Sequence, residues 1–581
     1  MNVRSRRAVV FALTFVVAFC SIVYELIYSE LLTVVFGGTV VRYSVTIGLF
    51  LFSLGVGAFL FRYLEDAPTN FLRVEILLAV AGPLGLVYIV ALNSLPGAEG
   101  ALPRNLALPL SHLPIVVVGL LSGLEVPFLT TMIDEREDSL LSSVGVSPGR
   151  VLRRGLSLVF VTEDPARTDG GGNADPGADG EESDLDGFSE ILGMDYVGSL
   201  AGTVVWALVL FPSLGLISSV FVLGLLNGLA AVAFWWEFPA GSKALLLAAL
   251  LVSGAYAGVL AEGGTVESEL TELYFENRIE GEYVSGNMEV DLDRRFTTRY
   301  QTVSVYERRW TGPARYHNGP EGPETCLRLD LQVQLCESWI EAYHGGLVDV
   351  PASFYEDMED KRVLVVGGGD FVAVDHLREY NVTVDQVDID REFMAYARNS
   401  SLLARYHDDA HEYDRLNTVV ADAFTYLGET NRTYDLVLLD LPGIRNDDLL
   451  HLYSVEFYER IDDHLAEDGL VVTWAYSRYF ESTHNKVYMN TVHEAGFTRY
   501  ARYEAMDDFD RDGDVERGEI FYVLSRGHTP ELDAANASSE YVRRHREAYG
   551  NVTWRPVPTY RGVRANRVFH PNYDIIVEFP R

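Results

Sequence analysis

Between Arg7 and Ala261 the chain runs through seven apolar stretches of roughly 20 residues, the length a helix needs to cross about 30 Å of hydrocarbon. They centre near Phe15, Leu51, Leu84, Val118, Val205, Leu223 and Leu250. Their number and length exclude a lone signal peptide. From Glu262 the hydropathy falls, so the two parts of the chain are built for different solvents. The expected organisation is a multipass α-helical membrane domain over residues 1–261, then a linker over 262–295. Within the first part, residues 162–186 are Gly- and acid-rich with almost no apolar side chain, which predicts a disordered acidic loop.

Basic residues distinguish the two sides of such a domain. The N-terminus (Arg4, Arg6, Arg7), the loop bearing Arg62 and Arg73, and the long loop with Arg136, Arg150, Arg153, Arg154 and Arg167 share one side, which the positive-inside rule makes cytoplasmic. Seven spans then deliver the soluble half to the outside, a placement compatible with N-x-[ST] sequons at Asn381, Asn399, Asn431, Asn536 and Asn551. A cytoplasmic co-substrate, implied below, points to the inside. The expected location is a cell membrane, with the side of the soluble half open.

The formal charge is −37, and of 46 basic residues only Lys243, Lys361 and Lys486 are Lys. Such a surface repels nucleic acid, which is excluded as a partner. An acidic, Lys-poor surface resembles proteins of salt-accumulating halophiles such as haloarchaea. Cys20 lies in an apolar stretch, and Cys326 and Cys336 offer no metal spacing; buried, reduced thiols are the expectation for the latter two.

In the second half, YQTVSVYE (Tyr300 to Glu307) and CLRLDLQVQL (Cys326 to Leu335) show the alternation of antiparallel strands, predicting a small β-rich subdomain over 296–350. From 351 to 525, strand-like runs (RVLVVGG, TVDQVDID, LNTVVADA, YDLVLLD, GLVVTW, EIFYVLS) alternate with helical stretches. That order predicts an α/β Rossmann-like, doubly wound sheet. Residues 526–581 read as an unassigned tail.

Open α/β sheets bind ligands at the carboxyl ends of their strands. Four consecutive strands here close on an acid: Asp370, Asp388, Asp422 and Asp440. The first runs into Gly367, Gly368 and Gly369, where missing side chains let backbone approach a ligand, without the GxGxxG spacing of a pyrophosphate site. Asp388 stands where a carboxylate accepts from ribose hydroxyls. The joint reading is a nucleoside without pyrophosphate, beside acids suited to a cation.

These residues carry a resemblance. Tyr300-Gln301, the segment LRLDLQVQLCESWIEAYHGGL with Asp330, Gln334, Tyr343 and His344, then GGGD, VDID, Asp422-Ala423, YDLVLLD and LYSVEFY occur in the order and spacing of the polyamine aminopropyltransferases, the spermidine synthase family. SGLEVPFL around Glu125, DYVGSLAG around Asp195 and Tyr24-Glu25 resemble its membrane-spanning members; ionisable groups in such segments are functional candidates by default. The resemblance implies transfer of an aminopropyl group from decarboxylated S-adenosylmethionine to an amine such as putrescine, releasing methylthioadenosine. It further implies that Gln301, the Gly367 to Gly369 turn, Asp388, Asp422 and Ala423 hold the co-substrate, that Tyr343, His344 and Asp370 hold the amine, and that Asp440 accepts its proton. The lipid bilayer is an implied partner, and a homo-oligomer is allowed.

The chain also departs from the family pattern. Gly443 stands where a second acid follows the catalytic Asp, Gly345 replaces the Glu after Tyr-His, and Thr473 or Trp474 replaces a Gln. Two other readings are therefore carried: a methyltransferase using intact S-adenosylmethionine, and a non-catalytic membrane transporter or sensor. DFDRDGDVERGE also matches the calcium-loop pattern, with Asp508, Asp510, Asp512, Asp514 and Glu519 as ligand candidates, although an acidic hairpin loop is the plainer reading. No firm metal is expected.

Overall fold

The computed structural model describes residues 3–36, 40–64, 66–94, 104–132, 178–238, 243–262, 264–281, 287–311, 319–330, 332–444, 447–474 and 482–576. The chain divides into two compact units, the first reaching Thr271 and the second running from Glu272 to Arg581.

Among the described residues the first unit contains six helices long and apolar enough to cross a membrane, not seven. The difference lies in Ser189–Glu237, which joins two of the apolar stretches in one 49-residue run. That run is broken at Gly215, where φ 67° and ψ −169° are open only to glycine. Its neighbours show what the break does. Before it, Gly198 meets Phe15 and Gly202 meets Phe19, so the run lies parallel to the first helix, Val3–Phe36. After it, Gly224 faces Ala79 and Asn227 bonds Glu75, antiparallel to the helix Ala67–Ser94. Tyr24 and Tyr28 of the first helix bond Leu78 and Gly82, so those two helices are parallel to each other. The chain therefore reverses at Gly215, and the seven stretches form seven rods. Close backbone approach at glycines is what lets these rods pack: a Cβ on Gly57, Gly123 or Gly198 would lie within 2.5 Å of a neighbouring carbonyl oxygen.

Buried inside this unit are Glu25, Glu125 and also Glu75, which the sequence reading passed over. Glu75 bonds the side chains of Glu125 and Asn227. Most of the acidic loop lies outside the described residues. Its last part, from Ala178, is not a loop but the start of the helix Ala178–Val205.

Residues 262–295 are no linker. They form the helix Thr265–Gly281 and most of β1 (Met288–Thr297). β1 pairs with β2 (Thr302–Trp310), and β3 (Glu324–Leu329) and β4 (Gln332–Cys336) complete an antiparallel four-stranded sheet that begins at Met288 rather than 296. CLRLDLQVQL is thus two strands and a turn, with Asp330 at φ 49° making the reversal. Cys326 and Cys336 face each other across the hairpin in a disulfide, correcting the expectation of reduced thiols.

The larger sheet has eight strands in the order β12-β10-β11-β9-β8-β5-β6-β7. β5 (Arg362–Gly367), β6 (Thr383–Asp388), β7 (Leu416–Val420), β8 (Tyr434–Asp440) and β9 (Leu465–Trp474) are parallel; the Val and Leu runs of β5, β8 and β9 are buried in the apolar clusters on the two faces, whereas β7, at the edge, has no buried residue. From β5 the chain winds outward through β6 to β7, then returns to β8 on the other flank. The switch point therefore lies between β5 and β8, where open sheets bind ligands. β10 (Arg499–Asp507) and β11 (Glu516–Ser525) add an antiparallel pair. The tail is part of the fold: β12 (Trp554–Pro556) pairs with β10, and Val542, Tyr549, Val557 and Ile575 are buried.

Candidate active site

At the switch point β5 and β8 run side by side, pairing Gly367 with Asp440. Gly367 and Gly368 take φ of 87° and 64°. A Cβ on Gly367 would stand 2.1 Å from the Asp440 carbonyl, so only glycine lets the turn close on β8. A Cβ on Gly369 would stand 2.8 Å from the Asp388 carboxylate. The turn thus brings the ends of β5, β6 and β8 together and sets Asp370 at the start of the helix Val372–Arg378, where its Oδ1 accepts from Val372 N.

The short helix Ile340–His344 delivers the other side of the site. The Tyr343 hydroxyl donates to Asp440 Oδ1 at 2.9 Å. His344 is buried, and its Nδ1–H donates to Ile340 O at 2.8 Å. That bond leaves Nε2 as the acceptor, facing Asp440 Oδ2 at 3.9 Å and Asp370 Oδ1 at 4.0 Å. Among the described residues Nε2 and Asp440 Oδ2 are buried with no hydrogen-bond partner, a costly state unless a ligand donates to them. The three groups place ligand atoms within 4.8 Å of one another, which suits one small cation held between them.

Electrostatics sharpen this picture. Burial pushes the Asp440 carboxyl up to about 8, the negative charge of Asp370 adds to the rise, and the Tyr343 hydrogen bond opposes it. Burial lowers His344, which is therefore neutral at pH 7. Burial raises the Tyr343 phenol, reinforced by Asp440, so it stays a donor. Beneath His344, burial alone would depress His376, but hydrogen bonds to Asp349 and Glu341 outweigh it and hold it up at about 10.

The remaining candidates fall on the co-substrate side. Burial raises Asp388, at the end of β6, to about 6; its Oδ1 accepts from Asp390 N. Gln301 donates to Asp390 rather than Asp388. Asp422 caps the helix Ala423–Glu429 by accepting from Thr425 N, and its other oxygen accepts from His451. Burial alone would raise it, but these bonds hold it at about 2. Both Asp422 oxygens thus already have partners within the fold. Asp370, Asp388, Asp440, Tyr343 and His344 come together, while Gln301 and Asp422 with Ala423 stand further along the strand ends.

The calcium-loop candidates separate. Asp508, Asp510 and Asp512 converge with Glu516, not with Asp514 or Glu519. Their oxygens accept from backbone N–H groups of the same hairpin, as do those of Glu516. Glu519 lies on β11, and the strand's alternation turns it to the same side as Phe521, whose ring packs on Tyr343 at 5.4 Å. It lines the cleft in front of Asp440, together with Gln332, Gln334, Trp339, Trp474 and Gly443. The cleft encloses about 530 Å³, its open mouth included. The sequence marks neither Trp339 nor Gln332 as a site residue, and Glu519 only as a calcium-loop candidate. The period-two pattern of EIFYVLS carried the signal for Glu519.

The departures also acquire causes. A Cβ on Gly345 would stand 2.7 Å from the ring of Tyr541, so the tail fills the space that a side chain at 345 would take. A Cβ on Gly443 would stand 2.9 Å from the Gln332 amide and 3.0 Å from the Trp474 ring.

Comparison with known proteins finds relatives of one kind. Residues 340–506 match the spermine/spermidine synthase domain. The chain is 28% identical over 503 residues to polyamine aminopropyltransferase 2 of Ralstonia nicotianae, covering 85% of this chain and 84% of that one. It is 26% identical over 510 residues to the polyamine aminopropyltransferase of Leptospira interrogans, covering 87% and 86%. Against the crystal structure of spermidine synthase from Thermotoga maritima the identity is 18%, the coverage 44% of this chain and 82% of that one, and the TM-score 0.35. Residues 340–506 thus match a spermine/spermidine synthase domain, and the relatives support an enzyme of the aminopropyltransferase type.

Proposed function

We propose that the chain is a membrane-anchored polyamine aminopropyltransferase that moves an aminopropyl group from decarboxylated S-adenosylmethionine to an amine. The observation that carries this is the orphaned Asp440 Oδ2 facing His344 Nε2 at the switch point of the sheet. An amine with a pKa near ~10 is protonated at neutral pH and must lose a proton to become a nucleophile. The Tyr343 hydroxyl occupies Asp440 Oδ1 and so directs Oδ2 at the amine. A buried carboxyl raised to about 8 is matched to taking that proton. As the proton moves to Asp440, the nitrogen lone pair attacks the carbon next to the sulfonium, the N–C bond forms, the C–S bond breaks, and its electron pair leaves on a neutral thioether. Asp370 and neutral His344 hold the nitrogen in line.

The co-substrate fits the residues present. Asp388 ends β6 beside the glycine turn, as a ribose-binding acid must, and no pyrophosphate cradle accompanies it. When bound, it supplies the electrophilic carbon and the leaving group.

Six apolar helices with a reversal in the fifth support a multipass membrane anchor. An odd number of crossings and the Cys326–Cys336 disulfide favour the outer side for the soluble unit, and a cytoplasmic co-substrate favours the inner one. Purified full-length protein, incubated with decarboxylated S-adenosylmethionine and a panel of amines at high salt, is expected to release methylthioadenosine. Co-substrate binding without product for any amine refutes the enzymatic reading. Product from intact S-adenosylmethionine instead identifies a methyltransferase. Protease added to intact cells is expected to cut the soluble unit; protection places it inside.

A further inference from the structure

We infer that Glu519, on β11, is the specificity-determining carboxylate that holds the distal ammonium of the acceptor in this chain. The inference rests on the aminopropyl-transfer reading above and adds a specificity-determining residue to it.

Asp440, Asp370 and His344 suffice to hold one nitrogen. A second acid three residues after Asp440 would hold another, but Gly443 stands there, and the Gln332 amide and Trp474 ring fill the space beyond its Cα. The same tryptophan brings in a substitute: its indole N–H donates to Glu519 Oε2 at 2.6 Å. Glu519 shares the cleft with Asp440, and its charge is felt at Tyr343. The site therefore has an acid at the reacting end and another reached from β11. Val333, Leu335, Leu441 and Trp474 line the same cleft with apolar surface that suits a methylene chain. A distal amine is cationic at neutral pH, and a carboxylate fixed by an N–H donor binds it by a charge-assisted hydrogen bond. The loop glycine and the strand glutamate thus form one exchange, in which the carboxylate has moved from the end of β8 to β11.

The test compares putrescine with butylamine, which has the same chain length but no distal ammonium, on the full-length protein. Wild type is expected to prefer putrescine in kcat/KM by about ten- to a hundredfold, the range for a hydrogen bond to a charged group. Glu519→Gln is expected to erase most of that preference, chiefly through the KM for putrescine. Glu519→Asp should restore part of it. Affinity for methylthioadenosine reports whether each variant keeps the fold. A wild type that uses both amines equally overturns the inference, as does a Glu519→Gln protein that binds methylthioadenosine and keeps the full preference. If wild type turns over no amine, the proposed function fails. Calorimetric titration of both amines into wild type and Glu519→Gln then decides the inference, and equal putrescine binding by the two proteins overturns it.

Discussion

Asp440 occupies a position where its charge is costly and useful at once. Its carboxyl is raised to about 8 because burial and Asp370 both disfavour the anion. For the free enzyme, kcat/KM is expected to rise with pH through a limb near 8. Asp370→Asn removes one of the two causes and should move that limb to lower pH. Asp440→Asn should lower kcat by about 10²- to 10⁴-fold with methylthioadenosine binding retained. Stability carries the opposite sign. A carboxyl raised on folding contributes stability that is full below its unfolded value of about 4 and lost as pH rises through about 8. Asp440→Asn should therefore melt above wild type at pH 9, and a lower melting temperature there contradicts a strained buried anion. The sequence showed Asp440 as a strand-end acid. It did not show that Tyr343 covers one oxygen and leaves the other open, because those residues lie 97 positions apart.

At the scale of elements, Gly215 decides how the first unit is connected. Apolar stretches reveal where helices form, but one long helix and two reversed ones share the same composition. Only the left-handed φ at Gly215 and the opposite pairings of Gly198 and Asn227 separate them. Gly215→Val places a β-branched residue where φ is 67°, and its Cβ would meet the Glu267 carboxylate at 2.8 Å. It is expected to destabilise the full-length protein by about 1–3 kcal/mol in a thermal melt, whereas the same change in a continuous helix, where Val is the better helix former, would be neutral or slightly stabilising. The helix Thr265–Gly281 shows a different limit of the sequence. Its charged run reads as a linker, yet the residues after it enter β1, and that role comes from pairing with β2.

At the scale of the whole molecule, the tail is the largest departure from expectation. Residues 526–581 read as unassigned, but β12 extends the sheet, Tyr541 packs on Gly345, and Asn566 donates to Leu450 O and Tyr453 O. A chain ending at 526 would expose the β10 edge and the apolar surface that Val542, Tyr549, Val557 and Ile575 cover. It is expected to aggregate or to lose methylthioadenosine binding; a soluble, nucleoside-binding product would show the tail to be dispensable. The sequence alone determined the features that depend on local chemistry: apolar stretches long enough to span hydrocarbon, alternating strands and helices, and acids at strand ends. Tertiary structure decided the rest. It paired Cys326 with Cys336, reversed the chain at Gly215, and carried Glu519 from a calcium-loop pattern into the cleft. The division has a physical cause. Hydropathy and periodicity are properties of neighbours along the chain, whereas a carboxylate's partners, and so its charge and role, come from residues that only folding brings near.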